Sequence, residues 1–509
     1  MELRKSKAQI RNKTKEILLW GGSFLGLFLF LLLLNTTAYK NNYAYNELLM
    51  LGEKVMLVFH GSPPRLENLG FVYPPLMYLF VLILQNPFIS SAFVGASSAS
   101  LLLFSTFKAY KIGRIPLIVA FSVLLYTLAS PASLFLLSEH QSLCLFACVF
   151  LQLVHHLYRY CRYQYTIDLL LFGMVTAFLF FIRFQAILLI PLLILPFLTT
   201  KERQSTGQKM SIIIIAFFPS IFFLSGWSYI NWVFMKEPFY FFRAWLSSTG
   251  STIGWNPAGD WYGATVYLID RIKDLAPLVL PVAVAVVRQW KIGYRKCRVT
   301  PSILAAPFVL IWADAISGVI HEHSMSYSIL FLLAALSFWT HVPVEEKMPW
   351  IDRLFALTLI VSLIFSWVIP ADKHREEHAF RQALIRPIED SSVSHARAIV
   401  KHIRPTGLVL IDDTRGFPIV FVEGNAKRFV LPYQYEYETV LSAPQFFVDY
   451  VIVYSGRGKT PAQDRVAGRW PEALFGYLPG FRFVGHFGDF ILYERMESLI
   501  EKAGFLSAP

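Results

Sequence analysis

Apolar runs of about twenty residues recur along this chain, and their length limits what it can fold into. A helix rises about 1.5 Å per residue, so about 20 apolar residues match the hydrocarbon layer of a bilayer. Such runs lie at 17–34, 92–107, 115–131, 141–157, 167–182, 185–199, 211–233, 275–288, 301–320, 325–340 and 351–369. Hydrophobic residues make up 55% of the 509 and charged residues 16%, against about 25% charged in an average soluble domain. That balance excludes a soluble enzyme with one core and a disordered chain. Four cysteines are too few to staple a secreted scaffold of this size. The reading is an α-helical polytopic membrane protein with eleven transmembrane helices.

The first run follows a basic head of Arg4, Lys5, Lys7, Arg11, Lys13 and Lys15. It is too long for a signal-peptide core and no small-residue cleavage site follows, so it reads as an uncleaved first helix with a cytoplasmic N-terminus. The segment 73–84 is ambiguous, because it is short and closes at Asn86-Pro87. Charge settles it. If 73–84 does not cross, the inward segments carry 21 Lys and Arg and the outward loops 8. If it crosses, every later loop changes side and the bias reverses. The segment therefore reads as interfacial, and eleven spans put the C-terminus outside. The expected location is the bacterial inner membrane, with the lipid bilayer as partner and no nucleic acid.

Residues 1–370 form the expected membrane domain, with outward loops at about 36–91 and 234–274. Beyond them charge returns, and short β-rich runs at 408–411, 450–454, 482–484 and 490–493 alternate with helical stretches such as 391–403. That pattern predicts a C-terminal extracytoplasmic α/β domain over 371–509.

The first outward loop reads Tyr45-Asn46-Glu47, then Gly61, Glu67 and Tyr73-Pro74-Pro75-Leu76. These residues resemble the C-type (GT-C) superfamily of integral-membrane glycosyltransferases, which includes aminoarabinose transferases, protein O-mannosyltransferases and polyprenyl-phosphomannose-dependent mannosyltransferases. In that family an acidic pair follows helix one, then a glycine, then a His/Tyr-Pro-Pro-Leu segment. Glu47 matches the second acid and Gly61 the glycine, while Asn46 stands where the family has Asp. Glu139, in Ser138-Glu139-His140, matches an acidic position in the second outward turn. Arg183, in Phe181-Ile182-Arg183-Phe184, resembles the cation that meets the lipid phosphate. His321-Glu322-His323 and Tyr327 stand where the family often has an Arg-Tyr pair. The resemblance covers roughly residues 15–370.

It implies transfer of a sugar, with inversion, from a polyprenyl-phosphate donor to a lipid, glycan or protein acceptor on the outer face. The donor phosphate is already a good leaving group, so no cofactor is required and no metal is indicated. The chemistry needs a base for the acceptor hydroxyl and a cation for the departing phosphate. Glu47, Glu139, Asn46 and Glu67 are the catalytic candidates. Arg183, Arg243, His323 and Tyr327 are the phosphate candidates. Tyr73, Pro74, Pro75, Tyr78, Trp255 and Trp261 would line the substrate groove, with Trp245 beside them.

Plainer readings compete at each position. Glu47 also fits a solvated helix-start carboxylate and Glu67 a solvated loop. Glu139 sits in an apolar stretch, where a carboxylate is costly unless paired or useful. Arg183 also fits a snorkelling side chain. The tryptophans fit an interfacial belt equally well. Asp314 lies inside a span and fits either a functional or a paired structural role. His321 and His323 are two apart, do not share a helix face and make no metal pair. Asp412-Asp413 reads as a turn with a helix cap. Two further functions stay open: a transporter or flippase for a lipid-linked saccharide, and a catalytically degenerate GT-C-fold scaffold, which Asn46 favours.

Overall fold

The computed structural model describes residues 2–69, 74–199, 205–241, 265–266, 268–269, 276–292, 299–316, 328–341, 348–368, 375–456 and 464–496. Helix α1 (Glu2–Lys40) leads into α2 (Asn46–His60), a 3-10 turn (Leu66–Leu69) and α3 (Pro75–Leu84). Then follow α4 (Pro87–Lys111), α5 (Leu117–Ala129), α6 (Pro131–Glu139), α7 (Gln141–Tyr163) and α8 (Thr166–Ile182). A second 3-10 segment (Phe184–Leu189) continues into α9 (Ile190–Thr199), and α10 spans Thr206–Met235. The bundle ends with α11 (Ala276–Ile292), α12 (Thr300–Ile316), α13 (Ser328–His341) and α14 (Pro349–Val368).

Each expected span overlaps a helix among the described residues, the one at 185–199 opening as a 3-10 segment. Among the described residues, five helices are long and apolar enough to cross a membrane alone, and a sixth crossing arises if α5 and α6 act as one. Others, such as Thr166–Ile182 and Ile329–His341, are shorter and apolar. The sequence placed residues 131–139 in an outward turn, and here the structure corrects it. Pro131 cannot continue α5 because it lacks an N–H, yet it suits the first turn of a new helix. The chain bends by 61° and resumes as α6. Trp367 Nε1 donates to the Ala129 carbonyl at 3.1 Å, satisfying one acceptor at the break.

Local signals set the other starts. Asn86 accepts from the N–H groups of Phe88 at 3.0 Å and Ile89 at 3.1 Å, with Pro87 behind it, so α4 begins there. Ser205 and Gln208 form a reciprocal capping box that starts α10. Helix α10 then exposes Ile214, Phe218, Ile221, Phe222, Tyr229 and Trp232. An exposed apolar face of that extent belongs in lipid.

Contacts sort the loops into two faces. On one face Arg114 donates to Thr340 O at 2.6 Å, His155 meets His341 at 3.3 Å, and Tyr158 meets Thr300 at 2.7 Å. Arg288 lies 3.6 Å from Asp352 there, and Trp339 Nε1 donates to the same carboxylate at 2.8 Å. These ends bound the segments that the sequence assigned to the inward side. On the other face α2 meets both the start of α7 and the C-terminal region. Residues 36–91 and the chain after α14 therefore share a side. An even number of crossings must separate them. The apolar segments α4, α5–α6, α7, α8, α9, α10, α11, α12, α13 and α14 lie between them in the chain. Helix α3 packs through Met77, Tyr78 and Val81 on Leu51 and Val55 of α2.

The C-terminal region contains α15 (Arg375–Ala383), α16 (Ser392–His402), β1 (Val409–Leu410), α17 (Asp413–Glu423), β2 (Phe429–Val430) and α18 (Tyr437–Ser442). It continues with β3 (Tyr450–Tyr454), α19 (Arg465–Arg469), β4 (Phe481–Phe487) and β5 (Phe490–Arg495). The sheet order is β2-β1-β3-β5-β4. The first three strands are parallel and the last two antiparallel, with Val409 opposite Phe429 and Tyr450, and Tyr450 opposite Glu494. Strand side chains alternate between two faces. Tyr450 and Ile452 join α16 and α17 on one face, and Val451 and Val453 join Tyr437, Val440 and Val466 on the other. Leu57 of α2 is buried in the first of these clusters. The unit thus shares its core with the first loop. The domain boundary expected near residue 370 lies outside the described residues.

Candidate functional site

Four consecutive residues at the α6–α7 junction gather the first loop. Glu139, the last residue of α6, is fully buried, and its Oε2 accepts from Tyr45 N at 3.0 Å. Its Oε1 accepts no hydrogen bond among the described residues. His140 Nδ1 lies 3.0 Å from Glu47 Oε2. Gln141 donates to Met77 O at 2.9 Å and accepts from Ser90 Oγ at 2.8 Å, which binds α3 and α4 to the same turn. Ser142 donates twice to Glu47, from its N–H to Oε1 and from its Oγ to Oε2, both at 2.6 Å.

Glu47 is therefore a cap supplied from a distant segment. It sits in the first turn of α2 and at the N-terminus of α7, where helix N–H groups need acceptors and the dipole favours a negative charge. Its side chain is only 10% exposed, so it is not the solvated carboxylate that was the plainer reading. Burial pushes its carboxyl up, but the charge and hydrogen bond of His140 and the two donors of Ser142 more than reverse this. Glu47 is held below the ordinary value. A carboxylate with Ser142 donating to both oxygens and His140 beside it is held ionised and fixed. Between the two acids, Glu139 is the one with an oxygen left for a proton.

Asn46 opens α2 half-buried beside this pair. Tyr43 OH donates to Glu376 Oε2 at 2.8 Å, bringing a carboxylate of α15 to the same corner. Phe135, Phe380 and Tyr43 pack together there. Pro74 and Pro75 start α3, and Tyr78 is buried on α2. Gly61 follows α2, and a Cβ there would lie 2.3 Å from Leu57 O, too close for any side chain. Asn68 Nδ2 closes the same turn by donating to Leu57 O at 2.8 Å and Pro63 O at 3.0 Å.

Arg183 ends α8 in extended backbone and is buried, with Phe184 beside it. Glu67 sits in the 3-10 turn, 42% exposed and 3.2 Å from Arg65. It pairs with that arginine rather than joining the Glu47–Glu139 set. Tyr73, Arg243, Trp245, Trp255, Trp261, His321, His323 and Tyr327 lie outside the described residues, as does the side chain of Asp314. No group of three potential metal ligands occurs among the described residues.

Sequence reasoning passed over His140, Gln141, Ser142 and Glu376. The signal for the first three was a polar run, Ser138 to Ser142, between two apolar helices. It also passed over Lys54, and it read Asp413 only as part of a capping turn, whereas the two pair across the contact between α2 and α17. Asp412 does cap α17, accepting from Thr414 N at 2.9 Å, as the turn reading required.

The architecture is that of a polytopic helical membrane protein with a small C-terminal α/β unit. Among solved structures it is similar to the crystal structure of ArnT from Cupriavidus metallidurans bound to undecaprenyl phosphate. The TM-score is 0.55 at 12% identity, covering 96% of this chain and 99% of that one. No family model matches the sequence, and no curated protein matches it.

Proposed function

We propose that this protein is a membrane glycosyltransferase that moves a sugar, with inversion, from a polyprenyl-phosphate donor to a lipid, glycan or protein acceptor. The reading places the reaction on the outer side of the inner membrane, where the first loop and the α/β unit meet. The observation that carries it is the bare Glu139 Oε1 at the meeting of α2, α6 and α15, within a fold shared end to end with a protein that binds undecaprenyl phosphate.

Glu139 is the proposed base, taking the acceptor hydroxyl proton as that oxygen attacks the anomeric carbon and the lipid phosphate departs. Glu47 is a positioning residue that pins α2 to α7. Arg183 is the proposed counter-charge for the phosphate. Asn46 supports the alternative of a degenerate scaffold, because an amide cannot take a proton at neutral pH.

Purified protein in detergent, offered radiolabelled polyprenyl-phosphate sugars and an envelope lipid or glycan extract, separates these readings. Label transfer that is abolished in Glu139→Gln supports the enzyme. Binding of donor without transfer supports the scaffold. Movement that needs a sealed vesicle supports a transporter.

A further inference from the structure

The contact between α2 and the α/β unit is buried, charged and unbalanced. The Glu53 side chain is fully buried, and those of Lys54 and Asp413 are 14% and 9% exposed. Lys54 Nζ bonds Asp413 Oδ2 across the contact and stands 3.4 Å from Glu53 Oε2. Neither Glu53 oxygen accepts a hydrogen bond among the described residues. One ammonium neutralises one carboxylate. A second carboxylate, bare and out of water, is costly unless it carries a proton.

Among the described residues, the nearby cations are engaged elsewhere. Tyr78 of α3 and Tyr433, after β2, add hydroxyls beside the set. Arg65 donates to Tyr433 O at 3.1 Å and pairs with Glu67 at 3.2 Å. On α17, Asp412 caps the helix and Arg415 lies over the Tyr454 ring. In the turn Ala426–Arg428, which also packs on α2, Lys427 is exposed and Arg428 pairs with Glu423. On α2 itself the other titratable groups are Glu47, held by His140 and Ser142, and the exposed His60.

We propose that Glu53 carries a structural proton donated toward Asp413, and that Glu53, Lys54 and Asp413 form a proton-operated clasp fixing α2 against the α/β unit. Burial, opposed by Lys54 and reinforced by Asp413, pushes the Glu53 carboxyl from 4.5 up to about 8. The sign follows. The closed contact keeps the proton, whereas an opened, hydrated Glu53 loses it above about 4.5. Opening therefore grows as pH rises from about 4.5 to about 8, by up to roughly tenfold per pH unit, and levels off above that. The clasp is tight in acid and loosens toward neutral and mildly alkaline pH. Because Glu47 is on the same helix, the clasp also positions the candidate site. That consequence rests on the proposed function, but the clasp itself does not.

Hydrogen exchange of the full-length protein in nanodiscs tests it without any activity assay. Exchange at 48–57 and 413–423, corrected for intrinsic rate, is followed from pH 5.5 to 7.5. Wild type is expected to open at least about tenfold more at pH 7.5 than at 5.5. Glu53→Gln keeps the shape and a donor for Asp413 but cannot ionise, and should change by less than about threefold. Asp413→Asn should raise exchange at every pH and flatten the dependence, since Lys54 is then left to an ionised Glu53. A wild-type profile flat in pH overturns the proposal, and so does a Glu53→Gln profile with the wild-type slope. The wild-type series decides even if a variant fails to fold. Loss of transfer activity with an intact exchange profile would count against the proposed function and leave the clasp standing.

Discussion

Gly52→Ala sets two known effects against each other, and the structure says which wins. Gly52 lies in the interior of α2, where alanine gains about 0.8–1 kcal/mol of helix propensity. The new Cβ, however, would sit 2.4 Å from Phe421 Cε2 and 2.9 Å from Pro87 Cγ. The phenyl ring is hemmed in, with Tyr39 and Phe88 each 6.2 Å from it between ring centres. Overpacking of this kind costs about 1–3 kcal/mol. The net expectation is a loss of about 0–2 kcal/mol in the docking of α2, the difference between those two ranges. In a Phe421→Ala background the ring is gone and only the Pro87 contact remains. There the same substitution should be neutral or stabilise by up to about 1 kcal/mol. The coupling energy of the cycle is therefore about 1–3 kcal/mol, or roughly 5- to 150-fold in the opening of α2 read by hydrogen exchange. If Gly52→Ala strengthens α2 equally in both backgrounds, α17 does not press on this helix as described, and the shared core of loop and α/β unit is wrong.

Glu47→Gln leaves one acceptor oxygen for two Ser142 donors and removes the charge facing His140. The loss of about 1.5–3 kcal/mol should appear as faster exchange at residues 46–52, whereas Glu139→Gln should leave that exchange near wild type while abolishing transfer. Arg428→Met strips a buried guanidinium from Glu423 and from the carbonyls of Gly407 and Arg404. It should destabilise the α/β unit by about 3–5 kcal/mol, seen as loss of exchange protection in β1 and β3 with the membrane helices unaffected. Membrane-impermeant thiol labelling of single cysteines in sealed cells checks the loop partition. Cysteines replacing Ser62 and Glu436 should react from the same side, and one replacing Lys111 should not; labelling of all three from one side would break the parity argument.

The spans were legible because a bilayer demands length, and runs of apolar residues record it directly. The sorting of the loops into two sets was legible because Lys and Arg are unevenly shared, and the pairing of Arg114 with Thr340 and of Tyr158 with Thr300 follows the same partition. The break at Pro131 was misread as a turn, since proline ends one helix and opens the next with equal ease. The site was legible only in pieces. Glu47 and Glu139 stand out as acids at membrane boundaries, but nothing local says that Ser142 occupies both oxygens of Glu47. That contact joins residues 95 apart. Lys54 looked like an ordinary loop charge and Asp413 like part of a capping turn, because their burial arises from packing between segments that the sequence separates.

The pairing of Lys54 with Asp413 spans 359 positions of chain. At a synthesis rate of about 5–20 residues per second, α2 waits roughly 20–70 s for its cover to be made. For that interval Glu53, Lys54 and Gly52 face water on the side of the first loop while the later apolar helices are still being made. A ribosome stalled or a message cut anywhere before residue 413 leaves a chain whose helices insert normally but whose first loop never closes. Proteases on that side would find α2 open in such a chain and closed in a finished one. The long reach of this contact thus makes the first loop a mark by which complete copies are told from broken ones.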